Sequence, residues 1–365
     1  MGEITKRPIK YLKDIDPRTW EHPADRAALA ALRHVPGLDI ALKAFMGGTT
    51  EKSLRLLALA ASVRSSVKQF PKIFNMTAEA CLRLDVRKIP EVYISHFSIL
   101  NVGSAAAVGM DSPFIILNYN FIKDLSDQEL MAVIAHEVGH IMSGHMLYKT
   151  LLRIMIMIAA AGIGSVMPIA EIAIQLIISA LMEWDRKSEL TADRAGLLGL
   201  QSPEACYTLE MKMAGGADLS QMDINEFFLQ AQEYDKGGNI LDSLFKFLNQ
   251  SQQTHPFAVL RLTELKTWVD SGVYQKILDG EYMRNGETPQ DDIFQEFQKA
   301  SDQYKEDIRK SKDPLAEAVT NAMKNFEPVA KGIQDFFGNF FKSNTPGGDG
   351  EGEKKNEESG EDKKQ

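Results

Sequence analysis

The string His136-Glu137-Val138-Gly139-His140 restricts what this chain can fold into more than any other feature of it. It follows Ser126 and Glu129, a capping-box pair, and the apolar positions Leu130, Val133 and Ile134, so the pattern predicts a helix from Ser126 to about Lys149. Side chains four residues apart share one helical face a turn apart, so both imidazoles can reach a single metal ion. Glu137 projects from the edge of that face toward a water on the ion, which is the geometry of a zinc hydrolase. A catalytic site of this kind needs a third protein ligand and an open position, so a later segment must fold back onto this helix.

A histidine six residues after His140 is excluded as the third ligand, because Met146 stands there and Ser143 replaces the glycine that would precede it. His145 lies about 180° round the helix from His136 and is assigned to packing or capping. A carboxylate from a later helix is left, and Ser188-Glu189-Leu190-Thr191-Ala192-Asp193 offers its best candidate in Glu189. Glu189 and Asp193 share a face, so one can bind the metal while the other orients a ligand imidazole or the partner helix. Arg186, three residues before Glu189, is expected to pair with a carboxylate there. Without the histidine helix these three side chains would read as a surface ion-pair ladder.

Two neutral imidazoles and one carboxylate leave zinc with net positive charge, which lowers the pKa of its water from about 15.7 toward 7 and polarises a peptide carbonyl. Glu137 is then the general base, accepting the water's proton and passing it to the leaving amine. The expected cofactor is one Zn2+ per chain, held by His136, His140 and Glu189. Cys81 and Cys206 have no histidine or basic partner nearby in sequence and read as structural thiols, which fits a reducing compartment.

The His136-to-His140 motif, the string Trp184-x-Arg186-x-x-Glu189-x-x-Ala192-Asp193 and the later Thr254-His255-Pro256 resemble one family over roughly Ile89 to Asp279. It is the zinc endopeptidase family of the gluzincin clan that includes HtpX and the Ste-type CAAX prenyl proteases. The resemblance implies a protein or peptide substrate laid along an edge strand, here Ser104, Ala105, Ala106 and Ala107. Many relatives carry Asn-Ala-Phe-Ala there, which this chain does not. The resemblance also implies that His255 lies near the zinc and donates a hydrogen bond to the tetrahedral intermediate. The alternative reading is a catalytically latent zinc-binding scaffold or chaperone-like protein of the same fold, and intact Glu137 favours the enzyme.

The rest of the chain is read around this centre as α+β and mainly helical, a zincin-like helix packed on a small sheet with extra N- and C-terminal helices. Residues 1–70 form a helical region of two or three helices, 71–285 the metallopeptidase domain, 286–343 a C-terminal helical region and 344–365 a disordered acidic tail. Strand texture is confined to Val92–Ile94, Ala105–Val108 and Phe114–Leu117, which predicts about three strands. Ile154–Ala170 is uncharged but short, about 26 Å as a helix against a hydrocarbon core of about 30 Å. Because His140 and Glu189 meet at one ion, the chain between them must cross any membrane an even number of times. The stretch 154–182 is therefore read as a helical hairpin that packs on the protein or makes peripheral or monotopic membrane contact, although spanning helices occupy this interval in integral-membrane relatives.

A heptad-like stripe from Leu315 to Phe340 predicts a partner helix or a homo-oligomer contact through 315–341. The formal charge of −9 gives no positive field for nucleic acid. No apolar h-region follows the N-terminus, so no signal peptide is expected and the chain is placed in the cytoplasm, with membrane association left open.

Overall fold

In the computed structural model, which describes residues 8–35, 37–46, 48–160, 168–236 and 258–287, three helices lead: α1 (Pro23–Leu32), α2 (Leu38–Phe45) and α3 (Gly48–Ala61). Strand β1 (Val63–Arg64) and helix α4 (Pro71–Arg83) precede β2 (Glu91–Ser95), β3 (Ala105–Val108) and β4 (Phe114–Asn118). A single turn, α5 (Tyr119–Ile122), leads into α6 (Asp127–Met142), α7 (Met146–Ala160) and α8 (Pro168–Leu200). Helices α9 (Pro203–Gly215), α10 (Ile224–Lys236), α11 (Ala258–Asp270) and α12 (Val273–Leu278) follow. Proline stands in the first turn of α1, α4 and α9, where its missing N–H removes no helical bond. The mainly helical α+β class is the one expected.

The sheet has four strands in the order β1-β2-β4-β3, one more than the sequence predicts. The added strand, β1, is only two residues long, too short to leave an alternating pattern. β2 and β4 run parallel with Val92 opposite Ile115, while β3 lies antiparallel to β4 with Ala106 opposite Ile116. β3 is therefore an edge strand. Alternation sorts the two faces between two cores. Val92, Ile94, Ile115 and Leu117 pack with Ile134, Val138 and Leu198 from α6 and α8. Tyr93, Phe114, Ile116 and Val108 pack with Leu54 and Ala58 of α3.

The capping box of Ser126 and Glu129 is present at the start of α6. The helix stops at Met142 rather than near Lys149, because Gly144 takes a left-handed φ of +71° and α7 leaves at 100° to α6. Much of the described part of the apolar stretch beyond it is buried inside the protein, although Met157 is exposed. Leu151, Leu152, Met155 and Ile158 of α7 pack with Ile174, Ile177, Ile178 and Leu181 of α8, and both against Ala28, Leu32, Leu38 and Phe45 of α1 and α2. Among the described residues no single helix is long and apolar enough to cross a membrane, and α6 and α7 reach that composition only as their bent pair. The stripe 315–340 and the tail 344–365 lie outside the described residues.

α8 crosses α6 closely because small residues face each other. A Cβ added at Gly139 would meet the Cβ of Ala195, and one at Gly199 would meet the Cβ of Ala135. Alanine inside a helix ordinarily stabilises by about 1 kcal/mol over glycine. Gly139→Ala is expected instead to destabilise by about 1–3 kcal/mol, the usual cost of overpacking. Adding Ala195→Gly should recover most of the loss. Urea midpoints of the two single variants and the double variant measure this, and an undiminished midpoint for Gly139→Ala would contradict the close crossing.

Candidate metal centre

The close crossing of α6 and α8 brings His136 and His140 from one helix against Glu189 from the other. His140 and Glu189 are each 1% exposed, and His136 is half-buried. Nε2 of His136 lies 3.5 Å from one Glu189 oxygen and Nε2 of His140 lies 3.2 Å from the other. One ligand atom from each of the three lies within 4.8 Å of those from the other two.

The outer ring nitrogens are held from behind. Nδ1 of His136 is 3.0 Å from Asp193 Oδ1. Asp193 accepts from Arg261, through Nε at 2.8 Å and again through Nη2. Arg261 also pairs with Glu210 at 3.2 Å. Nδ1 of His140 is 2.9 Å from Nδ1 of His145, whose Nε2 is 3.0 Å from Asp25 of α1. Asp25 accepts further from the Trp184 indole N–H at 3.0 Å and the Thr191 hydroxyl at 2.6 Å.

These partners assign the tautomers. With a cation between the three ligand groups and Asp193 and Asp25 as acceptors, protons would sit on Nδ1 of His136, on Nδ1 of His140 and on Nε2 of His145. Both Nε2 lone pairs would then point inward beside the Glu189 carboxylate. Two neutral imidazoles, one carboxylate and fixed outer hydrogen bonds form a donor set that fits a divalent transition metal.

The charges of the centre are balanced inside the core. Lys149 Nζ donates to Glu189 Oε1 at 2.6 Å and to Asp185 Oδ1 at 2.5 Å, with all three side chains buried. Burial works against ionisation of Asp193, but Arg261 outweighs it and holds the carboxyl below its usual pKa. Burial pushes Glu210 up to about 8. Burial likewise raises Glu137, a carboxylate beside the centre that accepts the Ala107 N–H of β3 at 2.6 Å. Burial alone pushes Cys81 up to about 12, and Cys206 is also raised, so neither is a ready thiolate.

The structure thus brings His136, His140, Glu189, Glu137 and Asp193 together. Ala105, Ala106 and Ala107 stand in edge strand β3 with Ser104 immediately before it. Two expectations are corrected. Arg186 pairs with Glu183 one turn earlier, and the carboxylates it was expected to serve are served by Lys149 and Arg261. His145 does not face away, because the left-handed corner at Gly144 returns it behind His140. His255 lies outside the described residues.

Asp25, Lys149, Asp185, Glu210 and Arg261 were missed from the sequence. Only Lys149 left a local signal, as a charge at the edge of a strongly apolar run. Arg261 is 68 residues from its partner Asp193, and only the fold brings them together.

A model of peptidase family M48 matches residues 69–269. The chain is also 32% identical over 274 residues to the plastoglobule-localized metallopeptidase 48, chloroplastic, of Arabidopsis thaliana, a match that covers 74% of this chain and 78% of that protein. No solved structure matches.

Arg261 is 3% exposed, so its loss would strand Asp193 without its cation in the core. Arg261→Met keeps the volume and is expected to destabilise by about 3–5 kcal/mol. Asp193→Asn in the same chain should recover part of this. Denaturant titration of the three variants tests the ion pair, and additive losses in the double variant would argue against it.

Proposed function

The chain belongs to peptidase family M48, and on that premise we propose that it is a zinc-dependent endopeptidase akin to HtpX and the Ste-type proteases. As a metallopeptidase it acts on protein or peptide substrates. The observation that carries the finer reading is the convergence of two imidazole lone pairs and one carboxylate beside Glu137, each imidazole backed by its own acceptor chain. His136, His140 and Glu189 would hold the metal. Zinc bound there supplies a Lewis acid that lowers the pKa of a water from about 15.7 toward 7 and polarises the scissile carbonyl.

The remaining work falls to this chain's own side chains. Glu137 takes the proton of the attacking water at its carboxylate and returns it to the leaving amine. Its raised proton affinity, caused first by burial, brings it nearer the working pH of a general base. Among the described residues β3 is an outer strand of the sheet, and an extended substrate would add along it as a further strand where the Ala107 N–H now meets Glu137, with Ala105 to Ala107 too small to obstruct it. Asp193 and the His145–Asp25 pair fix the ring orientation of the two ligand histidines. His255 keeps the role that the resemblance implies, donating a hydrogen bond to the substrate oxyanion. The peptidase unit is assigned to 71–285, with Asp25 of the N-terminal region completing the support of His140.

Elemental analysis of purified protein, with casein cleavage on the same samples, tests the proposal. Near-stoichiometric zinc is expected in the wild type and in Glu137→Gln, whose turnover should fall by about 10²–10⁴-fold, the usual worth of a general base. Glu189→Ala should lose zinc. His145→Ala should keep the fold and bind zinc about 10–100-fold more weakly, as for lost support behind a ligand. Zinc without cleavage by the wild type would favour the scaffold reading, and wild type free of zinc would overturn the ligand set.

A further inference from the structure

A cavity of about 440 Å³ opens beside the metal centre between α7 and the segment entering β3. It shares Ser104, Ala105, Phe121 and Met213 with the cleft that contains His136, Glu137 and Glu189. A peptide lying along β3 therefore passes its mouth.

Three cations line this cavity, and they differ in what balances them. Lys149 is held by Asp185 and Glu189 at 2.5 and 2.6 Å. Lys212 is held by Glu129 at 2.8 Å. Arg153 makes no ion pair among the described residues, and its Nη1 is buried with no hydrogen-bond partner. Its charge is near enough to the centre to act on both Glu137 and Lys149. Arg153 as a whole is half-buried at the cavity wall, and leaving its enclosed Nη1 without an acceptor is costly. Its planar fork matches a carboxylate in two-pronged fashion, and among the described residues the one carboxylate lining the cavity, Asp185, already serves Lys149.

We infer that this cavity is a specificity subsite in which Arg153 receives a carboxylate of the peptide substrate. The inference rests on the proteolytic reading of the centre and deepens it by naming the substrate's chemistry. The carboxylate comes from an Asp or Glu side chain near the scissile bond, or from the substrate's free C-terminus. The same interaction serves either source, and the experiment separates them.

Zinc-loaded full-length protein is incubated with a mixed peptide library, supplied with free and with amidated C-termini, and the cleaved bonds are read by mass spectrometry. The wild type is expected to prefer Asp or Glu at one position beside the bond. Preference for bonds near the terminus that amidation abolishes would assign the C-terminal carboxylate instead. Arg153→Gln should reduce the preference at least tenfold, the worth of a charge-assisted hydrogen bond. Arg153→Glu should shift the preference toward Lys or Arg.

A second arm measures binding by calorimetry to Glu137→Gln, using alanine-rich decapeptides with one central Glu or Gln, each with free and amidated ends. Tighter binding of a carboxylate-bearing peptide, lost on adding Arg153→Gln, supports the subsite. A wild type that cleaves with no anionic preference, or a preference that survives Arg153→Gln, overturns it. If no form cleaves anything, the proteolytic reading falls, and the binding arm decides on the cavity alone.

Discussion

The arrangement of this molecule depends on balancing the carboxylate of Glu189 in a place almost closed to solvent. A bare carboxylate in such a place would protonate or unfold its surroundings. Here it is met by the Lys149 ammonium and by two imidazole edges, and Asp185 takes up the remaining Lys149 charge. Each of those side chains stands on a helix whose position is set by apolar packing. α7 must turn sharply out of α6 to present Lys149, and α8 must lie almost against α6 to present Glu189 and Asp185. The glycine and alanine contacts between α6 and α8 are what permit the second condition.

The same logic extends outward in a series of compensations. Asp193 holds His136 and needs Arg261, and Arg261 in turn also meets Glu210. His140 leans on His145, which leans on Asp25, which is satisfied by Trp184 and Thr191. Five helices, α1, α6, α8, α9 and α11, contribute charges or donors to these chains. Mutual satisfaction of this kind is expected of polar groups in a core, because one unsatisfied member costs more than a pair stabilises.

The motif helix, its capping box and the return of a carboxylate at Glu189 were legible because each rests on short spacing along one helix. The strands β2, β3 and β4 were legible from alternation and flanking turn residues. The corner after α6 was not, since the apolar period continues through His145 and Lys149 and only Gly144 marks the break. The error at His145 follows from that one boundary. Arg186 misled for a different reason: three-residue spacing brings it as close to Glu183 behind as to Glu189 ahead, and the core had nearer cations to offer Glu189. Arg261 and Asp25 were beyond reach, being separated from their partners by long stretches of chain that carry no pairwise signal.

Asp25 lies outside the 69–269 span that defines the family match, yet it closes the acceptor chain behind His140. The N-terminal helix is thereby wired into the centre by two intervening rings, without itself contacting the ligand position. Thermodynamic linkage makes that connection work in both directions. A metal held by His140 would therefore also tighten the docking of α1, and peeling α1 away would loosen such a metal. The leading segment of the chain is thus a handle on the centre, one through which events at the surface of α1 and α2 reach chemistry at the far end of the relay.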